Sequence, residues 1–139
     1  MESAISQVRN SDADEAFSLI HRGCRMSVLN ACVSRRGWDI SVVAIQQKVL
    51  GEPESVQRTL AEADWVRLKK LVEEADFWAL PEHQFDGRVG LDGWTWIIEG
   101  RVGGRYHSSE CWAPNTGAFF NLGNMIVEFG GLPLPDDVP

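Results

Sequence analysis

Between Thr59 and Pro81 the apolar residues fall at helical spacing, and this stretch constrains the fold more than any other. Ala61, Trp65, Leu68, Val72 and Ala75 recur at steps of four, three, four and three, with Leu71 and Trp78 widening the stripe. Positions three and four apart share one side of an α-helix, so the pattern predicts a helix that buries one side and wets the other. Thr59-Leu60-Ala61-Glu62 ahead of it fits a capping box, with Thr59 as N-cap and Glu62 reaching back. Pro81 ends it, which allows roughly five turns. Arg67, Lys69, Lys70, Glu73 and Glu74 fall on the outer side, with Lys69/Glu73 and Lys70/Glu74 spaced as i,i+4 pairs.

The chain before this helix has the opposite period. Phe17 to His21, Met26 to Val33 and Trp38 to Ile45 are short runs with β-branched and alternating residues, broken at Gly23 and at Arg35-Arg36-Gly37. The third run places Trp38, Ile40, Val42 and Ala44 on one side. Together they predict an antiparallel meander, with a fourth short strand near Val56 to Arg58. Residues 81–93 read as a glycine-punctuated loop. Trp94 to Ile98 then alternates, with Trp94, Trp96 and Ile98 on one side and Thr95, Ile97 and Glu99 on the other. Gly103-Gly104 forms a two-residue hairpin turn, and Arg105 to Trp112 returns as the partner strand. After Pro114-Asn115-Thr116, the residues Phe119, Leu122, Ile126 and Phe129 mark a second helix, stopped by Gly130-Gly131 and Pro133. The expected fold is α+β, in the order β-β-β-(β)-α-β-β-α: an antiparallel sheet of about five strands with two helices packed on one face. Residues 16–132 form the single domain, 1–15 a weakly ordered lead-in and 133–139 an extended Pro-rich tail.

Composition narrows the function. The net charge is -7 over 139 residues, and six Trp stand against one Tyr. Nucleic acid and anionic membranes need a basic footprint, so neither is expected as a partner. No apolar run approaches the ~20 residues of a membrane span, and Met1 to Asp14 lacks the pattern of a signal peptide, so a cytoplasmic protein is expected. The acidity is local: residues 1–51 carry six basic and five acidic side chains, 52–85 four and eight, and 86–139 three and seven. Five of the six Trp also follow residue 51.

Gly90-Leu91-Asp92-Gly93-Trp94-Thr95-Trp96-Ile97-Ile98-Glu99-Gly100, then Gly103-Gly104-Arg105-Tyr106-His107 and Trp112-Ala113-Pro114, follow Phe77-Trp78-Ala79-Leu80-Pro81. This segment resembles a group of small uncharacterised bacterial proteins with an FWxLP, GLDGxxWxxEG and GxYHxxxxWxP pattern. The resemblance covers roughly residues 60–132. It implies a bacterial origin and a shared helix-hairpin-helix core, and it implies no chemistry.

Constellations that could carry chemistry are sparse. His107, Ser109 and Cys111 share one side of a strand, but His107 and Cys111 stand about 13 Å apart by rise alone, beyond hydrogen-bond reach. His21, Cys24 and Cys32 match no standard zinc spacing. The glycines at 87, 90, 93, 100, 103 and 104 form no phosphate-binding motif and read as turns. Glu99 and His107 lie close across the hairpin, where a hydrogen bond or ion pair is plausible. The three cysteines are expected as thiols, since their number is odd and their spacing unremarkable. No catalytic set, cofactor or metal is therefore expected.

What remains is a non-enzymatic, acidic protein-binding module. A bacterial immunity protein that occludes a basic toxin, such as one delivered by type VI secretion, fits the size and charge. The expected contact residues are Asp86, Asp92, Trp94, Glu99, His107, Glu110 and Trp112. Two alternatives stay open: a homodimeric assembly protein using an exposed sheet face, and a small enzyme or ligand-binding domain using Glu99, His107 and Asp92 at a pocket lip.

Overall fold

The structure, a computed structural model, describes residues 8–9, 11–23, 27–48, 51–84 and 94–134. Strands β1 (Glu15–Gly23), β2 (Val28–Arg36), β3 (Asp39–Gln47) and β4 (Glu54–Thr59) come first, followed by helix α1 (Glu62–Glu74). A 3-10 turn at Phe77–Ala79 leads to the two-residue strand β5 (His83–Gln84). The hairpin β6 (Trp94–Val102) and β7 (Arg105–Trp112) precedes helix α2 (Ala118–Gly130). The seven described strands form one sheet in the order β4-β3-β2-β1-β6-β7-β5. Every pairing is antiparallel except β5 with β7, which is parallel. The meander and the hairpin meet where β1 pairs with β6 along its whole length, Glu15 opposite Val102 and Gly23 opposite Trp94.

The pairing assigns each side chain to a face. Phe17, Leu19, Val33, Ala31, Leu29, Ile40, Val42, Ala44, Ile98 and Trp96 share one face and enter the main core. Both helices cover that face. α1 contributes Trp65, Leu68 and Val72, and α2 contributes Phe119, Leu122, Ile126 and Phe129. Burying an aliphatic or aromatic side chain of this size is worth about 1.5–3 kcal/mol, so this layer dominates stability. The packing is tight at two glycines. A Cβ on Gly123 of α2 would lie 2.6 Å from the Trp96 ring, and one on Gly100 of β6 would lie 2.8 Å from Phe17 and Phe77. Trp96 also stacks on Phe120, with ring centroids 5.4 Å apart.

The α+β class, the mostly antiparallel sheet, both helices and the hairpin turn agree with the sequence reading. Several details differ. Among the described residues the sheet has seven strands rather than about five, because residues 54–59 pair fully with β3 and His83–Gln84 adds to the edge beside β7. Helix α1 starts at Glu62, with Ala61 as N-cap. Thr59 is still in the β4 ladder opposite Ser41, and the Leu60 N–H donates to the Ile40 carbonyl, so the chain cannot coil until Ala61. Alanine offers no side-chain acceptor, so only half a capping box forms, with the Ala61 N–H donating to Asp64 at 3.0 Å. The helix also ends early, at Glu74 with Ala75 as its C-cap, and Asp76 just beyond turns the chain with a φ of 50°, in the left-handed region. Lys69 bonds Glu15 on β1 instead of Glu73, because it stands beside the buried stripe. Trp38 does not join Ile40 and Val42. It sits in the Gly37-Trp38 turn and is 90% exposed, because Arg35 and Arg36 extend β2 past the expected break. No described helix is long and apolar enough to cross a membrane.

Candidate functional site

The sheet separates the residues that the sequence grouped together. His107 pairs with Gly100 and faces the helices, whereas Glu99 pairs with Ser108 and faces the other way. Neighbours along a strand point to opposite faces, so a one-residue offset in register removes the expected Glu99–His107 contact. His21 and Cys32 are divided in the same way, since Cys32 pairs with Ser18 and His21 with Leu29. No group of His, Cys, Asp and Glu suited to a metal occurs among the described residues. Cys32 and Cys111 form no disulfide, and Cys24 lies outside the described residues.

On the helix face the polar side chains serve the backbone. His107 Nε2 lies 2.8 Å from the Leu80 carbonyl, which can only accept, so this nitrogen carries the proton. The imidazole packs edge-on against Phe77, centroids 5.2 Å apart. Ser109 Oγ donates to the Pro81 carbonyl at 2.6 Å and accepts from Gln84 Nε2 at 3.0 Å. The alternation of His107 and Ser109 thus ties the connection after α1 to β7. His21, 3% exposed, accepts at Nδ1 from Trp96 Nε1 at 2.9 Å and stacks on Trp94. Trp94 and His107, expected at a partner surface, are used here inside the fold.

The opposite face carries the candidate site. Across it runs a cross-strand row of Cys32, Ser18, Glu99 and Ser108. Glu99 is only 4% exposed. It accepts from the Tyr106 hydroxyl and, at 3.4 Å, from Ser18 Oγ. Burial first, then the bond and charge of Glu99, raise the Tyr106 phenol above its ordinary value. Burial, with the same negative charge, pushes the Cys32 thiol up to about 12. A thiol held protonated is a poor nucleophile, so Cys32 brings bulk rather than reactivity.

Part of this face is covered by the segment before β1. Val8 is fully buried against Ala16, Cys32 and Tyr106. Arg101, from β6, gathers that segment by donating to the carbonyls of Val8, Ser11 and Ala13. A guanidinium has five N–H donors in a fixed fork, which suits it to binding a folded-over chain. Arg9 lies over the Tyr106 ring, its Cζ 5.0 Å from the centroid, and approaches the hydroxyl at 3.5 Å.

Beside this segment the sheet leaves a cavity of about 220 Å³. Ile20 and Ile97 line it together with Tyr106 and Ser108. Its charged lining is of both signs: Arg9 and Arg22, against Glu82, Glu99 and Glu110, with His83 next to Glu110. Two of the expected contact residues, Glu99 and Glu110, meet here. Trp112 is on the same face, half-buried, opposite Thr95. Asp86 and Asp92 lie outside the described residues. The sequence reading missed Tyr106, Arg9, Arg22 and Glu82. Tyr106 was legible as the neighbour of Glu99 two residues off in the hairpin register, while Arg9 was not, since nothing local returns the first residues to this face. No known family model matches the chain, and no characterised protein matches it in sequence.

Proposed function

We propose that the chain is a non-catalytic binding module that receives a basic protein on the open face of its sheet. The observation that carries this reading is the grouping of Glu82, Glu99 and Glu110 around one concavity on the face that neither described helix covers, with Trp112 on the same face. Carboxylates in a recess favour a partner of opposite charge and reject one of like charge. A half-buried Trp beside them is the residue type that most often anchors an interface. In its specific form the role is that of a bacterial immunity protein, covering the basic cleft of a cognate secreted toxin.

The test is capture of the product of an adjacent toxin-like gene by the tagged full-length protein. That product should bind, and co-expression should relieve its toxicity. Glu82→Lys and Glu110→Lys together should weaken binding at least about tenfold by placing like charges against the partner. Failure to recover any neighbour-encoded protein counts against the reading. A second reading rests on Val43 and Ile45, half-buried on the same face beyond the segment that covers its middle. A second copy could cover them, giving a mass in solution twice 15.5 kDa.

A further inference from the structure

Among the described strands the sheet ends on β4 at one side and on the two-residue β5 at the other. β4 carries the unused half of a ladder. The Leu60 N–H donates to the Ile40 carbonyl, so residues 54, 56 and 58 also turn their backbone groups towards β3. Ser55, Gln57 and Thr59 turn theirs outwards. All three are exposed, and those groups have no partner among the described residues. Such an edge is a template for a further strand.

The side chains indicate which strand fits. Glu54, Val56 and Arg58 lie on the helix face, with Val56 packed against the core and the two charged residues exposed. Opposite charges two residues either side of one valine make this strand complementary to its own reversal. In an antiparallel pair of two copies with the two-fold axis at Val56, Glu54 stands opposite Arg58 of the second copy, and the symmetry repeats the contact. Ser55 and Gln57 of the second copy then exchange backbone hydrogen bonds through the groups that point outwards. The charged pairs and the two valines fall in the other kind of site, where facing Cα atoms are about 4.5 Å apart and side chains come closest. No other register does this. An axis between two residues sets outward groups against inward ones. An axis at Gln57 sets Val56 against Arg58, and one at Ser55 sets Glu54 against Val56. Glu54 bonds Lys48 through Oε1, which leaves Oε2 for a guanidinium, and Arg58 has no side-chain partner among the described residues.

We propose that β4 pairs with β4 of a second copy of this chain, antiparallel about Val56, so that one sheet runs through both subunits. The helices of both then lie on one side, and the open faces on the other stay uncovered. This pairing does not rest on a basic partner at the open face, and each stands or falls without the other.

The test is sedimentation of the full-length protein from about 10 µM to about 1 mM, since a contact one strand long holds weakly. The mass should rise from 15.5 kDa towards twice that value. Glu54→Arg and Arg58→Glu each set like charges opposite one another twice, and each should weaken the dimer at least about fivefold. The double variant, which exchanges the two charges, should recover the wild-type affinity. Both side chains are exposed, so these variants should keep the fold. Under mild oxidation Val56→Cys should give a disulfide-linked dimer that neither the wild type nor Ser55→Cys gives, because only position 56 faces itself within disulfide reach. The proposal is overturned by a single-subunit mass throughout, by a dimer indifferent to both single exchanges, as one formed through Val43 and Ile45 is, by a double variant no tighter than the single ones, or by Ser55→Cys linking as readily as Val56→Cys.

Discussion

The two faces of this sheet are made from the same strands and solve different problems. The helix face is a continuous apolar layer, from Ile40 and Val42 through Phe17 and Leu19 to Trp96 and Ile98. On it His21, His107 and Ser109 each satisfy a neighbour within the fold. The open face buries Ser18, Asn30, Cys32 and Glu99 with few apolar residues around them, and a short backbone segment does the covering. A face that only needs to be buried does so most cheaply with hydrocarbon, because a buried carboxylate is tolerated only when its acceptors are filled. It is on this open face, with Glu99 and Tyr106 at the lip of a cavity, that we propose the partner binds.

The sharpest test of this contrast falls on the helix face. Trp96→Ala removes the central ring of that layer and leaves a cavity between β6 and α2. It should cost about 3–5 kcal/mol, seen as a large fall in the denaturant midpoint. Gly123→Ala should cost about 1–3 kcal/mol by overpacking, since the new methyl group meets the Trp96 ring at 2.6 Å. In the Trp96→Ala background the same change should cost much less, because the clash is gone. If Gly123→Ala costs as much there as in the wild type, the close approach of α2 to Trp96 is not what sets the packing.

The open face should show itself through pH instead. In the folded state Cys32 holds its proton up to about 12, against an ordinary 9.0, and Tyr106 is raised above its ordinary 10.0. The folded chain thus holds these protons more tightly than the unfolded chain. The resulting stability is complete below pH 9 and is lost as the pH rises from 9 towards 12. Urea midpoints near pH 8 and near pH 11 should therefore differ more for the wild type than for Cys32→Ala, which has no thiol to ionise. Equal losses in the two proteins would mean that alkaline sensitivity arises elsewhere.

Periodicity carries information about one face at a time, and this explains what the sequence revealed. The core stripe of α1, the alternation of Trp94, Trp96 and Ile98, and the stripe Phe119, Leu122, Ile126 and Phe129 were all legible, because burial on one side imposes a repeat. The pairing of Arg101 with Tyr106 followed from the Gly103-Gly104 turn. The candidate site was legible at Glu99 and Glu110 and, through the hairpin register, at Tyr106. Its charged members outside the hairpin come from β1, from Glu82 and His83 and from Arg9, and β1 meets the hairpin through its long-range pairing with β6. No local pattern encodes that pairing. His107 was not legible because proximity across a hairpin does not specify the face, and Trp38 was not because an apolar side chain next to a strand has the same pattern as one inside it.

Trp38 belongs to neither face, and it gives the smallest predicted effect. At 90% exposure it has almost no buried area to lose, so Trp38→Ser should change stability by less than about 0.5 kcal/mol. Its spectroscopic effect should be out of proportion to that. Trp65 and Trp96 are buried and Trp78, Trp94 and Trp112 half-buried, so Trp38 should supply most of the fluorescence accessible to iodide. In Trp38→Ser the quenchable fraction should fall sharply and the emission move to the blue while the denaturant midpoint holds. A large loss of stability would place the indole against the protein, and the two-face description would then need a third packed region at the β2–β3 turn.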